Sequence, residues 1–449
     1  MQNEKASNNQ QDVILEESRQ GLKRAIGKWD LVLMIINSII GAGIFGLPSR
    51  IYQLTGVYSI LAFFVCAAIV LVFILCFAEV GSRFQTTGGP YTYVLTAFGR
   101  LPAFTVGWLL LLSRIFNYAT LINLLVTYLS IFYPSLTDTF PRAFTILIVT
   151  GGLTYINHVG AKSTTRVSNI LTVSKLVPLA LFIIIGAFFL QGDLFTIQQQ
   201  PAITDFSAAI LLLIFAFGGF ESVLVNTGEI RQPARTIPFG LLTATTIVAI
   251  FYVLIQVTSI GTLPSLATSE RPLADAATNF LGPVGGKIIA AGALISILGT
   301  LNILLFSGSR LPFAFSQEGQ FPKPFAAVHP VHRTPTLSLL SVAIVTAIAS
   351  IAWSFLTALQ FAVIIRVSVY LFVCASLLRL RRKRPEQTDH FALKGGKFFA
   401  ITGILLCLWL LSTAKLVELR NVAILLSVGI LIYLLQGKKS SGNDSLPKE

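Results

Sequence analysis

Charged side chains are scarce in this sequence. Asp, Glu, Lys and Arg make up 12% of 449 residues, about half of the roughly 25% usual in soluble domains. That shortage excludes an ordinary soluble enzyme. Cysteine is scarce too: Cys66, Cys76, Cys374 and Cys407 all fall inside apolar runs, without CxxC spacing. They read as small core residues rather than disulfide or metal partners. The four histidines, His158, His329, His332 and His390, fall in loops or at span ends, so no histidine relay crosses the apolar region. There is no HExxH, no nucleophile set beside a base and no metal-ligand cluster, which argues against a membrane enzyme. A channel filter or ring of repeated charge is also missing. The first 27 residues lack a short apolar run followed by a small-residue cleavage site, so the first span is expected to serve as the signal anchor.

Apolar sequence is what remains. Runs bounded by Pro, Gly and charge place twelve helices near 29–52, 57–80, 103–132, 142–158, 168–190, 206–227, 238–262, 286–310, 336–353, 357–378, 398–413 and 420–436. Spans nine and ten are separated by only a few residues near Trp353, so eleven is the alternative count. Twelve spans of about 20 residues use roughly 240 residues and leave loops and tails, 1–28 and 437–449, but no large soluble domain. Ser18 to Lys28 could form a basic interfacial helix or a solvated tail.

With both termini on one side, that side holds 24 Lys and Arg, the opposite loops hold six, and Arg114, Lys175 and Arg366 lie inside spans. This asymmetry predicts cytoplasmic termini. It also accounts for the formal charge of +14 without any nucleic-acid partner.

Two spans carry glycines where continuous helix is expected: Ile39 to Pro48 (IIGAGIFGLP) in span one and Phe215 to Ser222 (FAFGGFES) in span six. Lipid cannot satisfy freed backbone groups, so an interrupted span must line a cavity. The two sites begin successive five-span halves. Five is odd, so the halves enter the membrane in opposite directions, which makes an inverted repeat with its binding site at the interruptions. A half-helix starting near Gly43 offers free N–H groups and a positive dipole end, suited to a carboxylate. Half-helices ending near Ile39 and Phe217 offer carbonyls, suited to an ammonium. Together they fit the zwitterionic head of an amino acid.

These stretches, with GGPYTYVLTAFG (88–99) and GEIRQPARTIP (228–238), resemble the amino acid–polyamine–organocation superfamily of permeases over nearly the whole chain. The resemblance implies an all-α integral membrane protein of about twelve transmembrane helices with a LeuT-like fold. Two inverted five-helix repeats, about 29–190 and 206–378, with helices 1 and 6 broken, would be joined by peripheral helices at about 398–436. It implies carboxylate binding by the amides of Gly41, Ala42 and Gly43, with Ile44 beside them, and ammonium binding by carbonyls of Ile39, Phe215 and Gly218, next to Gly219. Phe215 or Phe220 would close over the substrate. Ala42 departs from the serine common at its position, which keeps the backbone role and removes a hydroxyl.

Ionisable residues at membrane depth are functional candidates. Glu221, in the span-six break, reads either as a proton site or gate, or as a static acid bonded to neighbours. Glu79, near the cytoplasmic end of span two, is expected to face water or a loop base. Arg114 lies about 17 Å into span three, too deep to snorkel, on one face with Asn117 and Tyr118. It either receives a side-chain carboxylate of the substrate, beside Tyr118, or neutralises Glu221 or Glu79. Arg366 is open to the same readings, with structural pairing favoured. Lys175 either snorkels to the interface or, as the resemblance implies, stands where sodium-coupled relatives hold an ion, which points away from sodium coupling and toward protons.

The expectation is a secondary active amino acid transporter, sodium-independent and proton-coupled, in a bacterial inner membrane and without a cofactor. An exchanger is the alternative. A non-transporting amino acid receptor comes third, because the tails are too short for a signalling domain.

Overall fold

The structure is a computed structural model. It describes residues 26–440 except Ala42, 85–87, 160–164, Gln198, Glu318, Pro330, Val331, Arg333 and 384–389. At Thr137, 165–174, Asn226, Gly228, Glu229, Lys383 and 436–440 it describes the backbone alone. Most of the stretch from Ser18 to Lys28 lies outside the described residues.

The first span is two helices, Lys28–Ile39 (α1) and Gly43–Thr55 (α2), and Ser59–Ser82 (α3) is the second. Pro90–Phe98 (α4) precedes Arg100–Leu129 (α5), Thr139–Val159 (α6) and Thr165–Gly186 (α7). The sixth span is also divided, into Ile203–Phe217 (α8) and Phe220–Val223 (α9), which runs on as a 3-10 turn over Leu224–Glu229. Pro233–Thr262 (α10), Pro272–Gln317 (α11), Thr336–Ala352 (α12), Phe355–Lys383 (α13), Gly396–Ser412 (α14) and Leu416–Ser440 (α15) complete the chain. Each of the twelve expected spans is met. Trp353 is extended (φ −116°, ψ 145°) and separates α12 from α13, which disposes of the eleven-span count.

Two helices fall where loops were expected. GGPYTYVLTAFG folds over Pro90–Phe98 because Gly88 and Gly89 adopt φ of 135° and 54°, turning the chain so that Pro90 takes the first helical position, where its missing N–H costs nothing. The other is the first part of α11, which ends at a kink where Gly282 has φ 71°, short of the eighth span. Neither piece is long enough to cross lipid, and neither carries an unbroken apolar run.

Large apolar side chains such as Phe64, Ile148, Ile184, Ile348 and Leu405 face outward, the reverse of a soluble surface and the arrangement lipid favours. Polar groups turn inward instead. α5 is enclosed along its whole apolar stretch, between α11, α12 and α13, and carries Arg114, Asn117 and Asn123 within the bundle. The chain just before α1 is tied to the segment after span six, with Arg231 N–H donating to the Ile26 carbonyl at 3.0 Å. Gly88 N–H donates to the Val225 carbonyl at 2.9 Å, which ties the turn before α4 to the 3-10 turn after α9.

Glu79 faces not water but bases from two segments read as loops in the sequence, Arg83 and Arg381. It is fully buried and accepts from Arg381 Nη2 at 2.6 Å, Arg83 Nη2 at 2.8 Å and the Leu393 N–H at 3.2 Å. A carboxylate survives burial when several donors replace its hydration. This cluster fastens the end of α3 to the end of α13 and to the segment leading into α14.

Candidate functional site

α1 stops at Ile39 because Ile40 leaves helical geometry (φ −72°, ψ 82°), and α2 starts at Gly43. α8 stops at Phe217, where Gly218 is extended (φ −82°, ψ 166°) and Gly219 takes φ 122°. The breaks therefore fall where the glycines placed them. They also lie against each other. Ser38 Oγ donates to the Gly219 carbonyl at 2.7 Å, and the Tyr252 hydroxyl of α10 bridges both interrupted helices, 3.2 Å from the Ile39 carbonyl and 3.0 Å from that of Ala216. Gly43 sits so close to α8 that a Cβ would stand 2.8 Å from Ala216 Cα.

Between the breaks lies a cavity of about 160 Å³, comparable to one of roughly 150 Å³ that accommodates benzene. Its wall includes Gly41, Gly43, Gly218 and Gly219, together with Phe215 and Arg114. Ala42 lies outside the described residues. Ile44 and Tyr118 are buried but are not part of the cavity wall. Tyr118 turns to α6, its hydroxyl 3.0 Å from Thr150 Oγ1, so the shared helical face with Arg114 does not bring both to the cavity. Of the two candidate gating aromatics, Phe215 lines the cavity, whereas Phe220 packs against Phe77 and Tyr370 with ring centroids 5.1 and 5.5 Å away.

The carbonyls are not bare. Phe215 O accepts from Arg366 Nη1 at 3.1 Å and from Gly218 N–H at 3.2 Å, while Ile39 O accepts from Gly41 N–H at 2.7 Å as well as from Tyr252. Sequence reasoning left these groups open for a ligand, but buried backbone groups take partners wherever the protein can supply them. The first amides of α2 differ, because a helix supplies no acceptor for its own first turn.

Arg366 organises this floor. Its Nε lies 3.1 Å from Glu221 Oε1, its Nη2 3.3 Å from Asn117 Oδ1, and its guanidinium 5.6 Å from the Phe215 ring centre. Glu221 also accepts from Gly219 N–H at 2.9 Å and the Tyr370 hydroxyl at 3.2 Å. The pairing favoured for Arg366 is the one observed. Arg114 donates to Ser222 Oγ at 2.6 Å; neither Glu221 nor Glu79 forms an ion pair with it.

Lys175 is buried and does not snorkel: its Nζ lies 3.1 Å from Thr300 Oγ1 and 3.5 Å from the Asn37 carbonyl. It thereby joins α7 to α11 and to the last turn of α1. Tyr252, Ser222, Thr300 and Tyr370 were missed in the sequence. Their one signal, a hydroxyl at membrane depth, is shared by many residues of these spans.

Comparisons with known proteins agree with this architecture. The crystal structure of MhsT in complex with L-phenylalanine superposes with a TM-score of 0.62 at 13% identity, covering 88% of this chain and 99% of that one, which establishes the LeuT fold. The branched-chain amino acid permease BcaP of Bacillus subtilis (strain 168) is 27% identical across 96% of this chain and 97% of its own. The methylthioribose transporter of the same organism is 26% identical across 95% and 96%. Its serine/threonine exchanger SteT is 29% identical across 71% of this chain and 74% of its own. The family model described as "Amino acid permease" matches residues 26–429, nearly the entire transmembrane unit. With its interrupted first and sixth spans facing one cavity, this multi-pass membrane protein belongs to the amino acid permease family.

Proposed function

We propose that the chain is a secondary active transporter that carries amino acids across a bacterial inner membrane by alternating access, with both termini cytoplasmic. Two half-repeats, about 29–190 and 206–378, rock around the cavity, and the helices at about 398–436 stay peripheral. The observation that carries this reading is the meeting of two interrupted spans at one cavity, with the amino end of α2 on its wall. The substrate carboxylate is held by the amides at Gly41 to Gly43, with that of Gly41 leaving the Ile39 carbonyl to do so, and Phe215 closes over it. Its ammonium reaches the carbonyls of Ile39, Phe215 and Gly218 when the present partners of the first two shift. Glu221 and Arg366 brace the span-six break.

Coupling is to protons and independent of sodium. Lys175 supports this, because its ammonium joins the broken end of α1 to α11 through Asn37 and Thr300 and so supplies the positive charge a metal cation would bring. An ammonium buried there costs less when it can give up its proton. In proteoliposomes without internal amino acid, an inward proton gradient is expected to accelerate uptake, and replacing sodium by potassium to leave it unchanged. Lys175→Gln should lose the acceleration. Uptake that requires sodium, or a Lys175→Gln variant that still responds to the proton gradient, would overturn this coupling. Strict dependence on preloaded amino acid would instead establish exchange, the mode named for SteT.

A further inference from the structure

Arg114 stands apart from the other charges of the bundle. It lies midway along α5, is 93% buried by its 7% exposure, and forms part of the cavity wall. Its Nη1 meets only a neutral partner, Ser222 Oγ, and its Nε is buried without a hydrogen-bond partner. Among the described residues no carboxylate lies within 4 Å of it. Glu221 reaches Arg114 only as a charge acting through space and shared with Arg366, and a buried guanidinium without a contacting counter-ion is unfavourable.

The other charges do not supply one. The acid of the span-six break, Glu221, is bound by Arg366, Gly219 and Tyr370, and among the described residues no acid lines the cavity. The three ionised groups Arg114, Arg366 and Glu221 therefore leave one positive charge at the cavity, with the positive dipole end of α2 facing the same space. Arg366 also occupies the Phe215 carbonyl, one of the few acceptors a substrate ammonium could use there. The site has an excess of donors.

We propose that the substrate is an amino acid with an acidic side chain, whose second carboxylate is received by Arg114 while the first is held at the start of α2. This rests on the amino acid transport reading and adds the class of substrate. A guanidinium can take a carboxylate in bidentate fashion, and the stem of Arg114 is positioned by Gly308 of α11, where a Cβ would stand 3.4 Å from Arg114 Cβ.

The test is a competition panel on the full chain in proteoliposomes, with radiolabelled L-glutamate as the probe. Glutamate and aspartate are set against glutamine, asparagine, leucine, lysine and glutarate. The two acids are expected to compete at concentrations about tenfold or more below those of their amides, since loss of one charge-assisted pair is at least that large. Arg114→Gln should bring the acid-to-amide ratio close to one, and Arg114→Lys should restore part of the ratio. If the amides or leucine compete as well as the acids in the unaltered protein, the proposal fails while amino acid transport stands, and this comparison holds whether or not the variants fold. If Arg114→Gln lowers acids and amides equally, Arg114 is not the receiving group. Glutarate competing as well as glutamate would overturn the requirement for an amino acid. Absence of uptake of every amino acid, established separately with each one labelled, would overturn the parent reading as well.

Discussion

Gly219→Ala is expected to abolish transport and to destabilise the protein by roughly 2–6 kcal/mol, the sum of a strained positive-φ residue and an overpacked contact. Gly219 adopts φ 122°, and an added Cβ would overlap the Ser38 carbonyl oxygen and stand 2.8 Å from its carbon. That carbonyl belongs to the last turn of α1, so it cannot withdraw without shifting the span-one break. Ser38 also donates to the Gly219 carbonyl, and the two interrupted helices are thus held face to face at this pair. Gly41→Ala is the control. Its Cβ would meet nothing nearer than Thr300 Cγ2 at 3.9 Å, so the fold is kept and only the cavity narrows. Thermal unfolding in detergent, paired with uptake, measures both effects. A Gly219→Ala protein that melts and transports like the unaltered one would contradict the geometry of the break.

Arg366→Met should cost about 3–5 kcal/mol, the usual consequence of removing one partner from a buried ion pair. The loss goes beyond the Glu221 contact, because the Phe215 carbonyl and Asn117 Oδ1 each lose a donor as well. Adding Glu221→Gln removes the stranded charge. The double variant is therefore expected to recover much of the lost stability, yet it should remain inactive, because the floor of the cavity is no longer fixed. A double-mutant cycle on unfolding midpoints isolates the coupling. Additive effects of the two substitutions would show that the pair is not a unit.

Much of the architecture was legible in the sequence because lipid imposes a strict rule. Apolar runs of sufficient length must be helices, and glycine pairs at matching places must mark interruptions with a purpose. Ile39, Gly43 and Phe217 fall at helix ends on that logic alone. The short helix at Pro90–Phe98 escaped it, since nothing in its composition distinguishes a helix lying at the membrane edge from a loop. So did the partners of the freed carbonyls. Tyr252, which touches both broken ends, lies on a separate helix, and no local pattern says which of many hydroxyls will reach across. Tyr118 shows the converse limit: spacing put it on the face of Arg114, but the angle between two neighbouring turns was enough to direct it to Thr150. For Glu79 the sequence left water and a loop base open, and the base is the outcome. Its position near a span end says nothing of Arg381, which is distant in sequence and encloses it.

The account depends on substrate sitting between the two interruptions, and a cryo-electron microscopy structure with an amino acid bound tests that directly. The expected result is density in the cavity beside Gly41 and Phe215, with a carboxylate oxygen about 2.7–3.2 Å from the Gly43 amide nitrogen and the helices still broken at Ile40 and Gly218. An amino acid bound elsewhere, or first and sixth spans that run as continuous helices in its presence, would contradict it.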